Sequence, residues 1–193
     1  MKKPTILVVD DVDINREILC EMFHEYNTMQ AANGKEAVDI IAANLDMISV
    51  VLLDVVMPVM SGVEVLEEMK KQKWIDSIPV LLITGEATTQ IERKAYRLGA
   101  SDIIKKPFDA FIVKQRTMNV IELYYNKRHL EEMVALQTKV LRKQAEELQS
   151  INDRIIDVMS SVVEFRNMES GDHVKRVKTF TNILAKYVAQ EYP

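Results

Sequence analysis

Four short apolar runs and one weaker one, each followed by a stretch of helical spacing, constrain this chain more than any other feature. The runs lie at residues 5–9 (TILVV), 28–32, 50–54, 79–84 and 102–105. Runs of this length, closed by turn residues, suit buried strands. The stretches between them carry apolar residues three or four apart. Asp13 is placed to cap a first helix with Ile14, Ile18 and Met22 inward. A second begins near Lys35 after Asn33-Gly34 and buries Ala37, Val38, Ile41 and Leu45. A third, at 63–72, turns Val63, Leu66 and Met69 inward, and a fourth, at 88–98, ends at Gly99. Strands alternating with helices predict an α/β fold, a doubly wound five-stranded parallel sheet with helices on both faces.

In such sheets ligands bind outside the carboxyl ends of the strands. The residues expected there are Asp10 and Asp11 after the first strand, Asp54 after the third, Thr84 after the fourth and Lys106 after the fifth. Pro58 and Ser61-Gly62 stop the third strand soon after Asp54. Taken alone, Asp54 reads as a turn cap. Beside the other strand ends it reads differently. Three converging carboxylates raise one another's pKa unless a cation intervenes. Hard oxygen ligands with room for water suit Mg²⁺. A lysine and a hydroxyl beside them are what an incoming phosphoryl group needs. The expected chemistry is in-line attack by Asp54 on phosphorus, with Mg²⁺, Lys106 and Thr84 each taking one phosphoryl oxygen.

The DD pair at 10–11, the DVVMP at 54–58, the TGEA at 84–87 and the KPF at 106–108 resemble the receiver domains of two-component response regulators. The resemblance covers residues 4–120 and rests on order and spacing together. It implies a flavodoxin-like receiver in which Asp54 is the phosphoacceptor for a sensor histidine kinase. It implies Mg²⁺ held by Asp10, Asp11, Asp54 and the backbone carbonyl of Val56, and a cis Lys106–Pro107 bond. Val56 and Glu86 are expected to tune removal of the phosphoryl group by water. One position departs from the family: the aromatic residue usual three places before the lysine is Ile103 here. A relay from Thr84 to an aromatic ring is therefore not expected, and a smaller shift of the 85–98 segment takes its place.

Residues 108–170 contain neither Gly nor Pro, so one helix can run through most of them. A heptad register puts Val120, Lys127, Val134, Leu141, Leu148, Ile155 and Val162 at a, and Leu123, Leu130, Gln137, Gln144, Ile151, Val158 and Phe165 at d. Eleven of these fourteen are apolar, which predicts a C-terminal coiled coil and a homodimer through residues 120–165. A long helix folded back on the sheet domain is the alternative. Ser170-Gly171-Asp172 interrupts the pattern, and 173–187 reads as another amphipathic helix.

The string VVEFRNMESGDHVKRVKTFTNILAKYV at 162–188 resembles the opening of HD-GYP cyclic di-GMP phosphodiesterases. That resemblance maps two metal ligands onto Glu169 and His173 and implies Fe or Mn in a complete output domain. It contains neither the His-Asp pair nor the Gly-Tyr-Pro signature. The expected organisation is a receiver at 1–120, a coiled-coil linker at 121–166 and a truncated output domain at 167–193, not a complete enzyme. The alternatives are the regulatory half of a metal-dependent cyclic di-GMP phosphodiesterase, and a receiver–coiled-coil adaptor with no enzymatic output.

Composition narrows the setting. The first 120 residues carry 14 Lys+Arg against 18 Asp+Glu, and the rest carry 11 of each, so direct nucleic-acid binding has no electrostatic support. No apolar run approaches the length of a membrane span, and no signal peptide is legible. One cysteine among 193 residues gives no disulfide framework, and a cytoplasmic location is expected. His24 and His129 are expected at the surface.

Overall fold

The computed structural model describes residues 3–85, 89–107, 109–167, 175–183 and 185. Five strands form one parallel sheet: β1 (Thr5–Val9), β2 (Asn27–Ala31), β3 (Ile48–Asp54), β4 (Val80–Thr84) and β5 (Asp102–Lys105). Their order is β2-β1-β3-β4-β5. β1 and β3 lie side by side at the point where the order reverses, so the crevice between their carboxyl ends opens there. The expected doubly wound α/β fold is what forms.

The sheet's two faces separate by alternate residues, because side chains along a strand point to opposite sides. Leu7, Val9, Val51, Leu53, Val80 and Leu82 face one layer, built from Ala37 and Ile41 of α2 (Gly34–Ala43), Val65, Leu66 and Met69 of α3 (Gly62–Lys71), and Ala95 of α4 (Thr89–Leu98). Ile6, Val8, Val50, Leu52, Leu81, Ile83 and Ile104 face the other layer. There they meet Leu19 of α1 (Asp13–Met22), Phe23 just beyond it, and Val113 of α5 (Ala110–Asn167). Each fully buried Leu or Ile contributes about 1.5–3 kcal/mol against exposure. That is why the central strands β1, β3 and β4 consist almost entirely of such residues. The edge strand β2 is mostly exposed and reads as polar.

The face of α1 differs from expectation. Leu19 is its buried residue, while Ile14 and Ile18 are exposed and Met22 only partly packs on the core. Leu19 and Phe23, four residues apart, form the inward stripe, and Ile14 and Ile18 lie on a different stripe of the same helix. Asp13 lies in the first turn and Val12 holds the cap position. Leu45 is also exposed, since α2 ends at Ala43. Gly99 has φ 109°, the left-handed conformation expected of a glycine closing α4.

The chain divides into two compact units, 1–131 and 132–193. α5 begins in the first and ends in the second. In the first unit it is held by buried Val113 and Thr117, by partly buried Val120 and Ile121, and by ion pairs Lys114–Glu25 (2.9 Å) and Arg116–Asp102 (3.0 Å). Contact with the sheet domain persists to Tyr124, whose hydroxyl accepts a bond from the Ser101 hydroxyl at 3.4 Å. Val120, expected in the coiled-coil seam, is thus used by the sheet domain's own core. Beyond that point Val134, Leu141, Leu148, Ile151, Ile155, Val158 and Val162 are exposed, as are Leu123 and Leu130 before them. In the second unit residues 175–183 are helical, and Lys178 pairs with Asp157. Glu169 and His173 lie outside the described residues.

Candidate functional site

Asp54 is the last residue of β3, and Asp10 directly follows β1 in the neighbouring strand. Both are buried, Asp10 at 1% exposure and Asp54 at 6%. They are held together by Lys106, which follows β5. Its ammonium nitrogen donates to Asp10 Oδ2 at 2.8 Å and to Asp54 Oδ1 at 2.7 Å. Lys106 in turn donates its backbone N–H to the carbonyl of Thr84 at 2.7 Å, tying β5's exit to β4's end. Thr84 is buried at the end of β4, and the Lys106–Pro107 bond is cis, as the resemblance implied.

Electrostatics follow from burial. Desolvation raises the Asp54 carboxyl above the ordinary carboxylate range, against the hydrogen bond and charge of Lys106, with the Asp10 charge raising it further. Burial pulls the Lys106 ammonium down, but its hydrogen bonds to Asp10 and Asp54 outweigh that and hold it above the usual lysine value. The site therefore keeps a cation between two carboxylates in a region that would otherwise favour neutral groups.

The convergence of three carboxylates expected from the sequence is only partly realised. Asp10 and Asp54 meet at one cation, but Asp11 is exposed. Among the described residues no three acidic, histidine or cysteine side chains are close enough to hold a metal between them. Strand ends specify only where the backbone arrives. β1 ends at Val9, so Asp10 is the first residue past the strand and stays buried, while Asp11 is the second and lies exposed in the bend that leads to α1. Val56 is exposed beside the site, and its backbone N–H donates to Asp54 Oδ2 at 3.1 Å. Glu86 and Phe108 lie outside the described residues. Ile103 is partly buried against the α2–α4 layer, so an aliphatic side chain fills the position the family gives to an aromatic one. The donor set of two buried carboxylates, a neighbouring exposed one and a nearby backbone carbonyl is all hard oxygen and fits Mg²⁺ better than a transition metal.

The loop from Asp54 to α3 is packed by two glycines whose importance the sequence showed only as turn chemistry. A Cβ on Gly62 would sit 2.2 Å from the Asp54 carbonyl oxygen, and one on Gly34 would sit 2.4 Å from the Met60 carbonyl oxygen. Gly62 N–H donates to Val55 O at 3.0 Å and Gly34 N–H to Met60 O at 3.2 Å. Between them Val59 adopts φ 69° while Met60 N–H bonds Pro58 O at 2.7 Å, a tight three-residue turn. Ser61 and Glu64 then form a reciprocal capping box that starts α3. The phosphoacceptor candidate is thus fixed from behind by backbone contacts.

Comparison with known proteins agrees with this geometry. Residues 6–117 match the family model of the response regulator receiver domain. The chain is 34% identical over 190 residues to a probable cyclic di-GMP phosphodiesterase of Vibrio cholerae, covering 96% of this chain and 42% of that protein. It is 29% identical to a cyclic di-GMP phosphodiesterase of Thermotoga maritima, covering 94% and 50%. The chain thus spans half or less of the length of these relatives. The CheX–CheY–BeF3–Mg²⁺ complex from Borrelia burgdorferi contains a chain similar in fold at TM-score 0.57 and 30% identity, covering 61% of this chain and 88% of that one. The family match, the β2-β1-β3-β4-β5 sheet and the Asp10–Lys106–Asp54 group at its switch point lead to one conclusion: this chain belongs to the response regulator receiver family.

Proposed function

We propose that Asp54 accepts a phosphoryl group from the phosphohistidine of a sensor kinase and that this event controls the helical stalk that follows the receiver in sequence. The observation that carries the reading is the single lysine bridging two buried carboxylates, 2.8 and 2.7 Å away, at the carboxyl edge of the sheet. Receiver domains bind Mg²⁺ and take phosphoryl groups from histidine kinases. In this chain Asp10, Asp11, Asp54 and the Val56 carbonyl would hold the ion. When bound, Mg²⁺ supplies positive charge to both the carboxylates and the incoming phosphoryl oxygens.

The chain's own groups do the rest. An Asp54 carboxylate oxygen attacks phosphorus in line, forming the P–O bond as the P–N bond to the donor imidazole breaks. The bond electrons leave with the imidazole. The Lys106 ammonium moves from the carboxylate pair to a phosphoryl oxygen and stays cationic there. The Thr84 hydroxyl donates to a second oxygen.

The stalk's nine exposed heptad residues, from Leu123 to Val162, support a homodimer through residues 120–165. The cyclic di-GMP phosphodiesterase relatives support a receiver at 1–120, a linker at 121–166 and, from 167 onward, the opening of an output domain of that class. Glu169 and His173 would then be ligands to Fe or Mn in the complete domain. No described helix is long and apolar enough to cross a membrane, and a cytoplasmic location fits the kinase partner. The test is labelling of the purified chain with a small phosphodonor and Mg²⁺. Incorporation that survives Asp54→Asn defeats the assignment.

A further inference from the structure

We propose that Asn15 is a positioning residue for Asp10, fixing the orientation in which that carboxylate meets a cation. The inference rests on the proposed role of Asp10 in the phosphoryl-accepting site and names a residue that role does not include. Asn15 is the third residue of α1. Its side-chain nitrogen donates to both Asp10 oxygens, at 3.0 Å to Oδ1 and 3.1 Å to Oδ2. A carboxylate only accepts, so the amide's NH₂ end must face it. The Val12 backbone N–H also donates to Oδ1, at 2.9 Å, and Arg16 Nη1 holds the Asp10 carbonyl at 2.6 Å.

Asn15 lies three residues past the Val12 cap position, so its bonds to Asp10 are not a helix cap. Asn33 shows the ordinary use: its side chain accepts from Glu36 N at 2.9 Å and caps α2. α1 has no side-chain cap, and Asn15 spends its donors on a carboxylate buried to 1% exposure.

The consequence appears when Lys106 leaves. In the proposed reaction the ammonium follows the phosphoryl oxygen, and Asp10 Oδ2 loses the charge that was 2.8 Å away. A buried carboxylate stripped of a partner would rotate or draw in water. Asn15 and the Val12 N–H would still hold its plane, by bonds to both oxygens that do not depend on Lys106. Because Asn15 is neutral, it orients Asp10 without cancelling its charge. Partners that hold a ligating carboxylate from behind typically change metal affinity by about 10- to 100-fold when removed.

The experiment is calorimetric titration of the full chain with Mg²⁺, comparing wild type, Asn15→Ala, the near-isosteric Asn15→Leu and the capping control Asn33→Ala, each shown folded by circular dichroism. The expected result is an affinity loss of about tenfold or more in both Asn15 variants and less than about twofold in Asn33→Ala. A folded Asn15 variant that binds as tightly as wild type overturns the inference, as does an equal loss in Asn33→Ala, which would mark general destabilisation. If the alanine variant does not fold, the leucine variant decides. Wild-type protein that takes up no Mg²⁺ defeats the underlying site reading instead, so the two failures are distinguishable.

Discussion

Gly62→Ala tests whether the β3–α3 loop holds the acceptor in place. The new Cβ would lie 2.2 Å from the Asp54 carbonyl oxygen, 3.1 Å from the Asp54 carbonyl carbon and 3.1 Å from Val55 Cα. Comfortable heavy-atom contacts are about 3.5 Å, so either the Asp54–Val55 peptide or the start of α3 must move by roughly 1 Å. Neither is free to do so cheaply. Gly62 N–H is bonded to Val55 O, and the Ser61–Glu64 box fixes the helix start. Overpacking of this kind costs about 1–3 kcal/mol. Displacing a reacting group by about 1 Å costs on the order of 100-fold in rate. Urea unfolding measures the first effect, and the initial rate of labelling by a small phosphodonor measures the second. Gly85→Ala is the stability control. Its Cβ would meet nothing nearer than Lys106 Cβ at 4.0 Å, and it should unfold within about 0.5 kcal/mol of wild type. A Gly62→Ala protein with wild-type stability and labelling rate would refute the claim that this backbone contact sets the position of Asp54.

Lys106→Met leaves Asp10 and Asp54 facing each other without their common cation; it should destabilise the chain by about 3 kcal/mol in urea without Mg²⁺, and a change below about 0.5 kcal/mol would contradict the bridging role. Asp54→Asn should melt higher than wild type at neutral pH in chelator. The Asp54 carboxyl is raised by burial, so its contribution is present below its unfolded pKa and lost as pH rises through its folded one. The ionised group is therefore a net cost at neutral pH, the variant's advantage should shrink toward acid, and a lower neutral-pH melting temperature would count against the burial argument. Leu141→Glu with Leu148→Glu should leave a monomer in sedimentation at concentrations where wild type is a dimer; a monomeric wild type would remove the seam altogether.

The residues differ in how openly the sequence declared them. β1, β3 and β4 were legible because burial on both faces leaves little but Val, Ile and Leu. Asp54 and Lys106 were legible because strand ends place side chains at one edge regardless of detail. α5 was legible from the absence of Gly and Pro. The inward face of α1 was misread: Ile14 and Ile18 satisfy the helical period as well as Leu19 and Phe23 do, and only packing against Ile6, Val8 and Leu52 chooses between them. Asp11 was grouped with its neighbours because adjacency in sequence hides a change in exposure of one residue's rotation. Asn15 and Arg16 gave no signal because a hydrogen bond from the next helix back to a strand end depends on how the loop turns. Gly62 announced a turn, while the contact with Asp54 O needed three dimensions.

The measurement closest to the central claim is the intact mass of the chain after incubation with a small phosphodonor, with and without Mg²⁺. Wild-type protein should gain the mass of one phosphoryl group only with Mg²⁺, and Asp54→Asn should gain none. A phosphoryl adduct on Asp54→Asn, or none on wild type with Mg²⁺ present, would contradict the account.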